Sequence, residues 1–201
     1  MLESSGRRLA PTRALLLATA ASLLCLVPAG AAWATCTPGK EVHFHMLGAN
    51  AMAVSAEVGE GYPQYGLLRA RTTPWKKNIR AWEHFRFTCV MTVPGGDDVV
   101  TIRSLANNTW VTTRLDFPET DPRWGMLTAT TTGDPGEREL FIVTWQKSLL
   151  KPPTRIRSWA NRRYVSTELG YGKKNPLRGM LRARATTLGE WENVWVGYWP
   201  A

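Results

Sequence analysis

Apolar and polar residues alternate in short runs through most of this chain, the pattern of half-buried β-strands. Two stretches of the chain each contain four such runs in the same order. The order is an alternating segment, a β-branched and aromatic segment, a second alternating segment and a closing run. These runs cover 101–105, 110–113, 126–132 and 139–145, then 155–159, 164–167, 180–187 and 191–198. Turn-forming residues such as Asn107, Asn161 and Gly189 separate them. No segment keeps a helical period, so the pattern predicts an all-β chain.

The same phrases occur three times. "GLLRARTT" begins at Gly66, "GMLTATTT" at Gly125 and "GMLRARATT" at Gly179. A second phrase precedes each copy: "FHMLGANAMAVSA" from Phe44, "TIRSLANNTWVTT" from Thr101 and "RIRSWANRRYVST" from 155. Repetition at roughly 50 residues indicates one supersecondary unit that cannot bury its apolar face alone.

Three four-stranded units predict a closed threefold architecture. A propeller uses similar units but needs at least four blades to close. Three copies fit a β-trefoil with pseudo-threefold symmetry, with repeats at about 40–89, 98–146 and 153–199. We therefore expect about twelve short antiparallel strands in a single domain covering 35–201.

Residues 1–34 are predicted to be a secretory signal peptide. Arg7, Arg8 and Arg13 precede an uncharged apolar run at 14–27, and a small-x-small pattern follows at 32–34. No later run is long and apolar enough to span a bilayer, so we expect a secreted protein without membrane insertion.

The predicted signal peptide determines which cysteines can pair in the secreted protein. The chain has three, and Cys25 lies inside the predicted signal peptide. Cys36 and Cys89 are then the pair available in an oxidising compartment, which predicts one disulfide that ties the N-terminus to the first repeat. Two free thiols are the alternative.

The repeated phrases resemble the fascin-like β-trefoil repeat. "TIRSLANNTWVTT", "RIRSWANRRYVSTE", "GMLRARATT", "AWEHF" and "EWENV" match its pattern of Arg-Ser-x-Ala-Asn-x-x-Tyr-Val, a leucine-alanine strand and a Trp-Glu-x-Phe ending. The resemblance covers about 40–199. It implies a trefoil fold, which serves in cytoskeletal bundlers and in sugar-binding modules, and it leaves the function open.

Positions that stay apolar in every copy predict the core. These slots are Leu68, Leu127 and Leu181; Ala70, Ala129 and Ala183; Phe85, Phe141 and Val194; and Val54, Val111 and Val165. Glu83, Glu139 and Glu192 also coincide, but each sits in its own repeat. We expect them to form structural ion pairs with arginine rather than a shared catalytic site.

No arrangement of residues points to catalysis, a cofactor or a metal. His43 and His45 are two apart on a predicted strand, a zinc-like spacing with His84, yet their slots are mostly apolar in the other copies. A packed, hydrogen-bonded pair is the favoured interpretation. The chain has no Gly-rich phosphate loop and no paired-cysteine zinc spacing, and we expect a protein that is not an enzyme.

The copies differ most in the loop between their second and third strands, where function is expected. These loops read "EVGEGYPQYG" from Glu57, "LDFPETDPRWG" from 115 and "LGYGKKNPLRG" from 169. The candidate ligand-binding residues on them are Tyr62, Tyr65, Phe117, Asp121, Trp124, Tyr171 and Lys173. An exposed aromatic ring can stack on the apolar face of a sugar while polar groups bind its hydroxyls. The alternative is that these rings fold back over the end of the barrel.

The net charge of +9 is spread rather than clustered. Scattered basic residues favour a solvated basic surface over a nucleic-acid site, with polyanionic sugars as targets if the charge is functional. The sequence therefore predicts a secreted, noncatalytic module for extracellular or cell-wall carbohydrate. A protein-interaction module of the fascin-like type is the alternative; one trefoil with an export signal makes actin a poor target.

Overall fold

Twelve strands form the protein in a computed structural model, which describes residues 36–39, 41–61, 64–74, 78–145 and 154–198. The strands are β1 Glu41–Leu47, β2 Ala53–Ala56, β3 Leu68–Thr72, β4 Phe85–Thr92, β5 Asp98–Ser104, β6 Trp110–Thr113, β7 Leu127–Thr131, β8 Leu140–Thr144, β9 Arg155–Ser158, β10 Tyr164–Thr167, β11 Leu181–Ala185 and β12 Trp195–Tyr198. Two 3₁₀ turns, Ala81–Glu83 and Glu137–Glu139, precede β4 and β8. The predicted four strands per repeat are confirmed.

Several predictions concern residues that lie outside this description. The predicted signal peptide, Tyr62, and the side chains of His43 and His45 are among them. The latter two residues belong to β1 by their backbones, where they pair with Arg86 and Gly197. No helix in the described part of the chain is long and apolar enough to cross a membrane.

Six strands form a closed barrel. Strand β1 pairs with β12 and β4, β4 with β5, β5 with β8, and β8 with β9, all antiparallel. A bridge between Thr154 and Val194, each just before its strand, joins the β9 and β12 ends of this path. The first and fourth strands of every repeat therefore build the barrel.

The second and third strands form three hairpins that close one end of the barrel. Strands β2 and β3, β6 and β7, and β10 and β11 pair within each repeat. The hairpins also join one another in a cycle through three bridges: Leu67 with Thr128, Met126 with Arg182, and Met180 with Arg69. Because each hairpin contacts the next repeat, no repeat completes its own core.

Three glycines allow this cyclic contact. Gly66, Gly125 and Gly179 have φ angles of +73°, +76° and +80°. Their carbonyls accept hydrogen bonds of 2.7, 2.7 and 2.8 Å from the amides of Ala129, Ala183 and Ala70 respectively. A Cβ at Gly125 would lie 2.5 Å from the Ala183 carbonyl oxygen, so a side chain would push the neighbouring repeats apart.

The predicted core slots are confirmed. All twelve residues of the four slots are buried and belong to one cluster inside the barrel. A smaller cluster of Leu67, Met126 and Met180, one residue from each hairpin, lies outside it. The repeated apolar positions are therefore explained by packing around the pseudo-threefold axis.

A repeated asparagine fixes the turn between the first two strands. The amide nitrogens of Asn50, Asn107 and Asn161 donate to the carbonyls of the alanine slot, Ala70, Ala129 and Ala183, at 2.9 Å in every repeat. The residue after each asparagine has a left-handed φ of 56° to 59°. The asparagine therefore supplies a buried carbonyl with a partner and holds the turn closed.

The repeated glutamates have a structural role in closing turns. Glu83, Glu139 and Glu192 are buried, and each accepts a hydrogen bond from the backbone N–H three residues earlier, at 2.9, 2.8 and 2.7 Å. Each carboxylate closes the turn before the fourth strand, as in a capping box. The structural role of these glutamates therefore includes turn closure.

The buried ion pairs use two other glutamates. Glu57 and Glu168, just after β2 and β10, are buried and form bidentate pairs with Arg71 and Arg184. The hydrogen bond to Glu168 raises the pKa of Arg184. The corresponding second-repeat position holds Arg114, which pairs with Asp116 instead. This exception breaks the threefold symmetry at one repeat.

The predicted disulfide joins Cys36 to Cys89, with the two Cα atoms 5.6 Å apart. Cys89 lies in β4, and the amide of Gly39 donates to its carbonyl at 2.8 Å. The N-terminal segment is thus held against the first repeat by a covalent bond and a hydrogen bond.

Candidate functional site

The three variable loops converge beside the small apolar cluster at the hairpin end. The end of each loop follows one sequence pattern. An Asx or aromatic residue is followed by proline, two variable residues, the left-handed glycine and an apolar residue of the cluster. These segments are 62–67, 121–126 and 175–180. Most of the candidate ligand-binding residues therefore lie near one end of the molecule, as the topology requires.

Two of the candidate aromatic rings cover the barrel end. Phe117 and Tyr171 are partly buried and pack against the cluster of Leu67, Met126 and Met180. The guanidinium of Arg123 lies 4.1 Å from the centre of the Phe117 ring. Both rings therefore pack over the barrel end, the environment that the sequence left as the alternative.

Asp121 and Trp124 also have structural partners. The Asp121 carboxylate accepts hydrogen bonds from the backbone N–H of Arg123 at 2.7 Å and from its guanidinium at 3.0 and 2.8 Å. These bonds lower the pKa of Asp121 to about 2. The Trp124 carbonyl accepts from Arg182, and the Trp124 side chain is half-buried. Asp121 thus shapes its own loop as an Asx turn.

Tyr65 and Lys173 are the exposed members among the six predicted residues that the structure describes. Tyr65 is 46% exposed, and Lys173 lies on an exposed stretch of the third loop. A shallow depression of about 310 Å³ opens between the three loops. Its floor is apolar, with Leu67, Met126 and Leu177, and Asp121 and Arg123 contribute polar edges. Asp121 and Arg123 are bound to each other, and Gln64 is the further polar residue along the depression.

A different pair of aromatic side chains presents open rings. Trp82 and Trp191 occupy equivalent positions, immediately before the capping glutamates, and are 37% and 38% exposed. The six-membered part of each indole lies over a glycine of the second-to-third-strand loop. An added Cβ at Gly59 would be 2.5 Å from Cη2 of Trp82, and at Gly170 it would be 3.4 Å from Cη2 of Trp191.

We call these arrangements the first and third indole lobes. The first lobe consists of Trp82, Gly59 and the Glu57–Arg71 pair, and the third lobe of Trp191, Gly170 and the Glu168–Arg184 pair. In both, the arginine side chain is about two-fifths exposed and the glutamate is buried. Each lobe thus combines an open aromatic surface with a partly exposed charged group.

The second repeat has no indole lobe. Arg138 replaces the tryptophan and Asp116 replaces the glycine. Asp116 binds Arg114 at 2.8 and 2.5 Å, and this hydrogen bonding, with a further contribution from Arg138, lowers the Asp116 pKa. Charged groups therefore stand where the other two repeats place an apolar ring.

The sequence contained a signal for these lobes that our interpretation missed. The Trp-Glu dipeptide occurs at 82–83 and 191–192, and glycine occurs at both 59 and 170. The two positions are distant in the chain, so only the fold shows that ring and glycine meet. Among the described residues, no group of three or more His, Cys, Asp or Glu is arranged to hold a metal ion.

No protein-family model and no curated protein sequence matches this chain. Solved structures do match. The designed threefold symmetric protein ThreeFoil has a TM-score of 0.52 at 8% identity, covering 77% of this chain and 96% of its own. A Caenorhabditis elegans protein of unknown function has a TM-score of 0.53 at 13% identity, covering 81% and 97%. The Rhizoctonia solani agglutinin has a TM-score of 0.51 at 11% identity, covering 81% and 96%.

Identities this low show a shared fold and nothing finer, so the fascin-like resemblance stays a prediction. The likeness covers almost the whole of each neighbour and matches the barrel and hairpin cycle described above. The described part of the chain therefore has a β-trefoil fold.

Proposed function

We propose that this protein is a secreted, noncatalytic module that binds extracellular or cell-wall carbohydrate. The observation that carries the proposal is the pair of open indole rings, Trp82 and Trp191, each more than a third exposed and each lying on a glycine. An aromatic ring in water that is not needed to close the core has a free face for a ligand.

The chemistry of the lobes suits a pyranose ring. The apolar C–H face of a sugar stacks on an indole, while its hydroxyls need donors and acceptors beside the ring. Arg71 and Arg184 are partly exposed and form bidentate pairs with buried glutamates. They are therefore positioned in the same lobes as donors, with their orientation already fixed by bidentate pairing.

The remaining parts of the proposal rest on other features. Secretion is supported by the predicted leader and by the disulfide, which belongs to oxidising compartments. A noncatalytic role is supported by the structural use of the carboxylates: Glu83, Glu139 and Glu192 close turns, and Glu57 and Glu168 are held by arginine.

Pulldown on insoluble chitin, cellulose, xylan and peptidoglycan tests this function. The protein without residues 1–34 is compared with its Trp82→Ala and Trp191→Ala variants across a salt titration. Trp195→Ala is the matched control, because Trp195 is 46% exposed but lies in β12 and belongs to neither lobe. Tyr65→Ala probes the loop end of the barrel.

We expect salt-resistant retention on at least one polymer, weakened by the two lobe variants and unchanged by Trp195→Ala. Retention that disappears at moderate salt would show binding by charge and contradict stacking. If retention is weakened only by Tyr65→Ala, the binding site lies in the loops and not in the indole lobes. Failure on all four polymers, with capture of a specific secreted protein, would instead favour the protein-interaction alternative.

A further inference from the structure

The two indole lobes lie on different sides of one small domain. They belong to the first and third repeats, which a pseudo-threefold rotation of about 120° relates. The cyclic bridges among the hairpins show that this rotation applies to the whole molecule rather than to the strands alone. Two surfaces related in this way face different directions, so one straight polymer segment cannot lie on both.

We propose that the first and third lobes are two separate carbohydrate sites and that one molecule crosslinks two polysaccharide chains. This inference rests on the proposed function and adds its valency and geometry. Each lobe repeats the same parts: the ring, the glycine beneath it, the buried glutamate and the partly exposed arginine. Equivalent parts in equivalent positions give equivalent chemistry.

The second repeat limits the valency to two. A pyranose face that stacks on an indole would meet the charged side chains of Arg138 and Asp116 instead. Asp116 is already paired with Arg114, and the pair is partly exposed. Removing these charges from water for an apolar sugar face is unfavourable, so this side of the protein does not become a third site.

Valency and geometry together predict how the protein acts on polymers. Linked sites bind one target more tightly only when both can engage it at once. Because the lobes face apart, loss of one lobe halves the number of bound oligosaccharides without weakening the remaining site. The same loss abolishes crosslinking completely, because one site per molecule cannot join two chains.

Calorimetry and agglutination measure these two properties. Chitohexaose, cellohexaose, xylohexaose and a soluble peptidoglycan fragment are titrated into the protein without residues 1–34. Suspensions of chitin, cellulose, xylan and peptidoglycan particles are then mixed with it and followed by turbidity. Size-exclusion chromatography establishes whether the protein is a monomer, because a dimer with one site per chain would also agglutinate particles.

We expect two sites per chain in the unaltered protein, one in Trp82→Ala or Trp191→Ala, and none in the double variant. Agglutination is expected only with both lobes intact. Trp195→Ala should keep two sites and agglutinate normally. Circular dichroism and urea unfolding confirm that each variant is folded.

Two glycine substitutions give a second test that retains both tryptophans. A Cβ at Gly59 would lie 2.5 Å from Trp82, so Gly59→Ala must displace the ring and remove the first site. At Gly170 the distance to Trp191 is 3.4 Å, ordinary contact, so Gly170→Ala should keep two sites. Neither glycine has a left-handed φ that would add strain.

One site per chain in the unaltered protein, with binding intact, would overturn the proposed valency and leave the proposed function standing. Two sites that survive both tryptophan substitutions would also overturn it. If no oligosaccharide and no polymer binds, the proposed function fails and the valency fails with it. The outcomes are therefore distinguishable.

Discussion

The cyclic contact between hairpins can be tested at Gly125. Its φ of +76° disfavours any side chain, and an added Cβ would be 2.5 Å from the Ala183 carbonyl oxygen. Gly133 is the matched control, because its φ is +80° and nothing lies within 4 Å of its added Cβ. Both alanine substitutions therefore introduce the same backbone strain. Only Gly125→Ala also brings the new Cβ into collision with the neighbouring repeat.

The magnitudes follow from this difference. Placing alanine in the left-handed region costs about 1–2 kcal/mol, which is the whole effect expected for Gly133→Ala. At Gly125 the repeats must also separate, which weakens the 2.7 Å hydrogen bond from the Ala183 amide and adds about 1–3 kcal/mol. We therefore expect Gly125→Ala to lower the free energy of unfolding by about 2–5 kcal/mol, against about 1–2 kcal/mol for Gly133→Ala.

Urea unfolding followed by tryptophan fluorescence measures both variants, with free energies from linear extrapolation. The slope must stay constant for the comparison to hold. If Gly125→Ala and Gly133→Ala have the same midpoint, the hairpins tolerate separation and the close approach does not stabilise the trefoil. Gly179→Ala should behave like Gly125→Ala, because its Cβ would be 2.8 Å from the next repeat.

Three further outcomes are expected. Cys36→Ala, which opens the disulfide to Cys89, should lower the free energy of unfolding by about 4 kcal/mol, because the cysteines are 53 residues apart; unchanged urea stability would contradict this. Asn107 begins a glycosylation sequon, but its amide nitrogen is hydrogen-bonded within the fold, so intact-mass spectrometry of folded protein from a glycosylating host should find it unmodified; a folded, glycosylated product would refute this. The folded pKa of Asp121, about 2, lies below its unfolded value near 3.9, so its stabilising effect is present above that value and is lost as pH falls through 2. Asp121→Asn should therefore flatten the pH dependence of urea stability between about pH 4 and pH 2, and an unchanged slope would be evidence against the Arg123 pairing.

The core residues could be predicted because each position can be compared across three repeats. A residue that is apolar in one copy has several explanations, whereas Leu68, Leu127 and Leu181 share one: equivalent places around a common axis. The same comparison identified the repeated glutamates as structural. It could not identify the backbone amides that donate to these carboxylates, because a backbone amide has no sequence signature.

The candidate site was less predictable for a related reason. Sequence comparison directed attention to the loops after β2, β6 and β10, but it could not tell which rings face water. Phe117 and Tyr171 pack inward, while Trp82 and Trp191 lie open on the glycines of the same loops.

By itself, then, the sequence determined the threefold repeat, the twelve strands, the residues of the barrel core and the disulfide, because each is recorded in a local pattern or in its repetition. Only the tertiary structure decided which glutamates meet arginine, which aromatic rings cover the barrel end and which lie open on a glycine. Those outcomes depend on contacts between segments that are distant in the chain, and strand pairing and hairpin packing bring those segments together.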